Sequence, residues 1–218
     1  MFTPNNRSFS ISPASGGLLL VLVVGLGIAT ELHAQSPGVA ANPNLTTEAP
    51  SGWWKNGSNP GAYVVGVDKD NAHAGLPSAY VKSIQRSMDG FGGMMQMCDA
   101  GNYLGKRLRF SAWMKTENAN DGGAHLWFRI DGKSGGSMLG FDNMDNRPVK
   151  GTVEWKSYSL VLDVPATAGA LAFGFFISGT GKAWVSGVKL EAVGQDEPTT
   201  NIPEKKRPSA PVNIDFSG

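Results

Sequence analysis

The chain has 218 residues, 41% of them hydrophobic, and sets 19 Lys and Arg against 18 Asp and Glu. That length suits one domain with a core of its own. A net charge of +1 argues against nucleic acid or an anionic membrane as the main partner, because both select basic patches.

The chain opens on polar residues and Arg7, followed by the apolar run Gly16–Ala29 and a small-residue exit at Leu32-His33-Ala34. That order predicts a secretory signal peptide over residues 1–34, cleaved after Ala34. The apolar run is shorter than the roughly 20 residues that cross a bilayer. The expected location is therefore extracytoplasmic, periplasmic or secreted, with no membrane contact beyond the export signal. Removing Arg7 and Glu31 leaves the charge balance unchanged. Residues 35–50 read as a linker, 51–194 as the folded domain, and 195–218 as a Pro-rich, mostly disordered tail. The final PVNIDFSG turns apolar again and is a candidate terminal strand.

Within 51–194 the apolar period is two. Leu108, Phe110, Ala112 and Met114 alternate with Arg107, Arg109, Ser111, Trp113 and Lys115. Leu126, Phe128 and Ile130 alternate with His125, Trp127, Arg129 and Asp131. Tyr158, Leu160, Leu162 and Val164 share a face, as do Leu171, Phe173, Phe175 and Ile177. Further strands are expected at 63–67, 79–84, 94–98, 138–141 and 183–193, with about one helical turn at 99–103. Reversals are expected at Asn120-Asp121-Gly122-Gly123 and at the other Gly, Asn and Pro clusters. Many short strands and almost no helix predict an all-β fold, a two-sheet antiparallel jelly-roll β-sandwich.

Three stretches carry a resemblance: Tyr103–Lys115, Leu126–Gly151 with its FDNM followed by Arg147-Pro148, and Trp155–Pro165 continuing to Gly181. Together they resemble a bacterial galactose-binding-like, carbohydrate-binding-module domain. That type occurs in secreted proteins and fused to some bacterial transcription regulators. The resemblance implies an eight- or nine-stranded jelly roll and a binding role. Such modules often hold a structural calcium. Relatives tend to carry acidic residues after the tryptophan of the last long strand, whereas here Val185-Ser186-Gly187 follow Trp184.

Sugar rings lay apolar faces on aromatic planes and turn hydroxyls toward charged or amide groups. Trp113 with Arg109, and Trp127 with Arg129, supply that pairing on the non-core faces of two expected strands. Strands paired in register would bring both indoles into one patch, joined by Gln96 and by a loop carrying Asp142, Asn143 and Arg147. The competing reading is that each Trp stacks on Arg and closes the sheet without a ligand. Trp53 and Trp54 read as a plug over one end of the sandwich. Asp68 and Asp70 are candidate calcium ligands, although a solvated turn suits them better, and Asp142–Asn146 form a second oxygen-rich cluster.

No reaction-bearing constellation stands out. Gly132–Gly136 spells G-x-S-x-G, but its serine lies between two expected strands and no histidine follows His125. Neither Gly132-Lys133 nor Gly181-Lys182 has the upstream glycine of a phosphate loop; Trp127 and Phe176 stand there instead. Cys98 is the single cysteine and reads as a small apolar side chain rather than a nucleophile or an intermolecular disulfide. The leading expectation is a non-catalytic binding module for a carbohydrate or similar polar ligand, with no cofactor beyond the candidate calcium. The alternatives are a domain docking a cell-envelope protein partner and, last, a hydrolase using Asp131 and Asp142.

Overall fold

The structure is a computed structural model that describes residues 42–85, 89–133, 137–200 and 214. The leader, residues 35–41 of the linker, Ser134 and all but one residue after Thr200 lie outside those residues. So do the expectations of an export signal and a terminal strand.

The domain is an antiparallel jelly-roll sandwich. Its strands are β1 (Trp54–Gly57), β2 (Tyr63–His73), β3 (Leu76–Ser83), β4 (Phe91–Asp99), β5 (Arg107–Gly132), β6 (Met138–Asp142), β7 (Val149–Asp163), β8 (Ala168–Ser178) and β9 (Lys182–Val193). Single 3-10 turns occupy Pro60–Ala62 and Gly101–Tyr103. One layer runs β2-β3-β9-β5-β7 and the other β1-β4-β8-β5-β6, so β5 belongs to both.

That double membership corrects the expected pair of separate strands at 106–115 and 125–131. The chain bends there without reversing. Asn118 and Asp121 adopt φ of 49° and 61°, and Gly123 follows at 89°. Left-handed residues scattered through a strand produce a corner, whereas a hairpin concentrates them at two adjacent positions. Such a pair sits at Ala74 and Gly75 (φ 49° and 78°), where β2 turns into β3. The first half of β5 lies between β7 and β9, and the second half between β8 and β6.

Alternation is preserved on both sides of the corner. Leu108, Phe110, Ala112 and Met114 in the first half face Leu126, Phe128 and Ile130 in the second, and all are buried. Phe110 touches both Phe128 and Phe173 across the interior, at centroid distances of 6.1 Å and 5.2 Å. Trp53 closes one end of the core edge-on against Phe173, at 6.0 Å. Trp54 does not join that plug; it pairs with Met95 on the outer face and is exposed.

The folded unit reaches beyond 51–194. Thr46 donates its N–H to the Val67 carbonyl, and Lys69 donates to that of Asn44, so residues 44–46 run along the free edge of β2. At the other end, Thr200 donates to the Val161 carbonyl and accepts the Val161 N–H on its hydroxyl, covering the edge of β7. Arg107 binds the carbonyls of Gln195 and Glu197 on the way, each at 2.7 Å.

Truncating the side chain that spans both halves of β5 should be costly. Phe110→Ala is expected to lower unfolding stability by about 3–5 kcal/mol, read as a shift in urea midpoint without loss of cooperativity.

Candidate functional site

Sheet pairing sets side chains from different strands in rows, because partnered residues share a face. On the outer face of the β1-β4-β8-β5-β6 layer, one row reads Asn56, Gly93, Phe176, His125. The next reads Trp54, Met95, Gly174, Trp127, and a third Met97, Ala172, Arg129, Phe141. The middle strands contribute Gly93, Gly174 and Ala172 at the points where a larger side chain would fill the surface. A Cβ on Gly174 would collide with the Met94 carbonyl and stand 3.0 Å from the Trp127 indole nitrogen. Small residues inside a strand let a neighbouring group approach closely; here the Trp127 indole lies over Gly174, so that Trp127 and Phe176 sink to 7% and 9% exposure at the bottom of a trough.

The trough is a cleft of about 640 Å³, within the range of ligand pockets. Trp127, Phe176 and His125 form its floor, and Phe91 and Phe141 stand beside them. Asn143, Asp145 and Pro148 from the β6–β7 connection and Lys150 at the start of β7 supply the wall. Lys150 has no protein partner among the described residues. Asn56 lines the opposite side, and its Oδ1 is buried without a hydrogen-bond partner among the described residues. A buried polar atom left unpaired costs free energy unless something bonds to it.

His125 lies flat on Phe176, with centroids 4.4 Å apart and planes 8° from parallel. Its Nδ1 is 2.9 Å from the Asn143 carbonyl and its Nε2 is 3.2 Å from that of Gly122. Burial pushes the imidazole below its ordinary value, while the two carbonyls and Asp145, 4.0 Å away, pull the other way. A neutral ring has one N–H, so one of the two carbonyls faces a lone pair.

The expected site residues separate into two places. Trp127, Arg129 and Asn143 line the cleft, with Arg129 paired to Asp131 at 2.9 Å. Trp113 and Arg109 lie on the outer face of the other layer, so the two indoles share one strand but not one patch. The corner in β5 is the reason: each half buries the same alternate set, so their free faces point away from each other. Gln96 is turned to the interior side of β4, where its amide donates to the Gly52 carbonyl. Asp142 is fully buried on the core side, held by Arg147 at 2.6 Å and by the Met144 N–H. Asp131 is on the outer side, so the two carboxylates suggested for hydrolysis do not face one another. The next element after Gly132 among the described residues is β6, the antiparallel partner of β5, and not a helix.

The Asp68 carboxylate is saturated by donors. It accepts from the backbone of Asp70 and Asn71, the Asn71 amide, Lys182 and the Trp184 indole. Burial raises its pKa, but these donors outweigh that and hold it below the ordinary carboxylate value. Asp70 accepts from the amides of Asn42 and Asn44. A cation there would displace all of these N–H groups, and among the described residues no group of three or more His, Cys, Asp or Glu is arranged to hold a metal. Burial, with Asp99 beside it, pushes the Cys98 thiol up, away from a reactive thiolate.

Asn56, Phe91, Phe141 and Phe176 were not read as site residues from the sequence, and Trp54 was read as part of the end plug. Their only mark there is alternation opposite Gly and Ala, which becomes meaningful once strand partners are known.

No family model matches the chain. The architecture described above is that of a jelly-roll β-sandwich. The chain is 40% identical over 167 residues to a Bacillus subtilis (strain 168) protein named as an uncharacterized HTH-type transcriptional regulator, YbfP. That match covers 76% of this chain and 56% of the relative, so the chain spans little more than half the length of the relative it matches. Among solved structures, the enzymatically active domain of bacteriophage CBA120 tailspike protein 4 aligns with TM-score 0.50 and 18% identity, over 67% of this chain and 20% of that one. The TmCBM61 module in complex with β-1,4-galactotriose aligns at 0.43 and 17%, over 66% and 90%. The CBM22-1 xylan-binding domain of Paenibacillus barcinonensis Xyn10C aligns at 0.44 and 14%, over 67% and 88%. At these identities the likeness is one of fold.

Two outcomes follow from the geometry. Asn56→Ala should leave stability unchanged or raise it by up to about 1 kcal/mol, since it removes an unpaired buried oxygen; thermal unfolding reads this. For His125 the folded pKa is depressed, so the unfolded chain takes up its proton first as pH falls below about 6.5. Its contribution is complete above that value and is lost on acidification toward the folded pKa. The urea midpoint should drop between about pH 7.5 and about pH 5.5, and His125→Phe should flatten that slope.

Proposed function

We propose that this domain is an extracytoplasmic, non-catalytic binding module whose cleft over Trp127 and Phe176 holds a carbohydrate or a ligand of the same amphipathic chemistry. The observation that carries this reading is the unpaired Oδ1 of Asn56 in a cleft floored by aromatic side chains. Aromatic planes suit the C–H faces of sugar rings. Asn56, Asn143, Lys150 and the Arg129–Asp131 pair border those planes and suit the hydroxyls. The cleft lacks a matched pair of carboxylates, and its one histidine is stacked and tied to backbone carbonyls.

The relative from Bacillus subtilis supports a portable role. It is named as an HTH-type regulator, and this domain has no α-helix among its described residues. The described residues of this domain are therefore not helix-turn-helix in character, and on this reading they recognise a ligand.

A glycan array probed with the purified chain should give binding to a restricted set of sugars. Trp127→Ala should weaken it by about tenfold or more, equivalent to at least ~1.4 kcal/mol, and Asn56→Ala should weaken it while the fold stays intact. A wild-type chain that binds no glycan, or a Trp127→Ala chain that binds as well as wild type, would sink the proposal.

A further inference from the structure

The outer face of the β2-β3-β9-β5-β7 layer carries a second depression, of about 270 Å³. It is the expected Trp113 and Arg109 region, now isolated from the cleft. Its floor is made of Ser111, Ser157 and Ser159, where Ser111 pairs with Ser159 and Trp113 with Ser157. None of the three hydroxyls has a protein partner among the described residues. Small hydroxylated residues at adjacent positions on β5 and the edge strand β7 are not needed to close a sheet face; bulkier β-formers would cover it better.

One end of the depression is an aromatic wall. Trp113 is 39% exposed, and its position is fixed by His73 from the tip of the β2–β3 hairpin, 4.4 Å away between centroids. His73 is in turn 5.1 Å from Trp155, so three rings brace one another across three strands. Gly187, at φ 62°, lies under the indole edge, with 3.5 Å from its would-be Cβ to Trp113 Cδ1. The other end is the Arg109 guanidinium, which binds Glu191 at 3.1 Å and Glu197 at 3.2 Å. Lys189 adds a cation without a protein partner among the described residues. Arg109 and Lys189 balance Glu191 and Glu197, so the depression is electrically neutral overall.

We infer that this depression is a second ligand site, for a single neutral sugar ring, on the face opposite the cleft. The indole takes the apolar face of the ring, and the three serines with the Arg109–Glu191 pair take its hydroxyls. The volume is less than half that of the cleft, which limits the occupant to about one ring. Two sites on opposite faces would let one molecule bridge two glycan chains. The smaller site stands on its own residues and does not depend on what the cleft binds.

The test is a titration of the full ¹⁵N-labelled chain with glucose, galactose and glucuronate in turn, following the two indole N–H signals of Trp113 and Trp127 separately. Glucose or galactose should shift the Trp113 indole and the amides of Ser111, Ser157 and Ser159. Those shifts should persist in Trp127→Ala. They should vanish in Trp113→Ala and in Ser157→Gln, which fills the depression without touching the core. Shifts confined to the Trp127 indole would overturn this inference and leave the cleft proposal standing. Shifts confined to the Trp113 region would do the reverse. A response to glucuronate alone would overturn the assignment to a neutral ring.

Discussion

The structure depends on one strand keeping its side-chain phase through a bend. β5 must pass from one layer of the sandwich to the other while the same alternate positions stay inside. The three positively rotated residues Asn118, Asp121 and Gly123 would not suffice without that phase: a one-residue slip at the corner would turn Trp127, His125 and Arg129 inward and Phe128 outward. The contact of Phe110 with Phe128 records that the phase is kept. Every other strand then takes its place by pairing with one half of β5 or with a neighbour already placed.

The cleft follows from that arrangement together with small residues on the central strands. Gly93, Ala172 and Gly174 are weak strand formers, and on propensity alone they detract from β4 and β8. Their value is spatial. They let Trp127 and Phe176 lie low on the outer face while Phe91 and Phe141 stand beside them, so the surface is concave and aromatic at once. The same logic, with serine in place of glycine, shapes the smaller depression on the other face.

Much of the fold was legible in the sequence because burial on one side of a strand leaves a period of two. The alternation of Leu108–Met114, Leu126–Ile130 and Leu171–Ile177 marks the interior in advance of any coordinates. The turn at residues 120–123 was legible as a turn but not as a corner, since the same residues serve both. The sites were less legible. Whether Trp113 and Trp127 meet depends on which strands pair and on which side of the sandwich each half of β5 lies. Those are long-range facts with no local signature. Asn56 and Phe176 are far apart in sequence and become neighbours through Gly93. Asp68, read as an oxygen-rich turn, instead gathers N–H donors from β9, including an indole more than a hundred residues away.

Residues 44–46 and Thr200 lie along the outermost strands of one layer, where exposed backbone would otherwise invite pairing with another chain. The natural seams of this domain are therefore wider than its regular strands. A fusion or excision cut at Ser51 and Gly194 would keep every long strand and both depressions, yet it would strip the guard from each side of that layer. Such a fragment would associate through its bared flanks, and a portable version of the module should begin before Asn44 and end after Thr200.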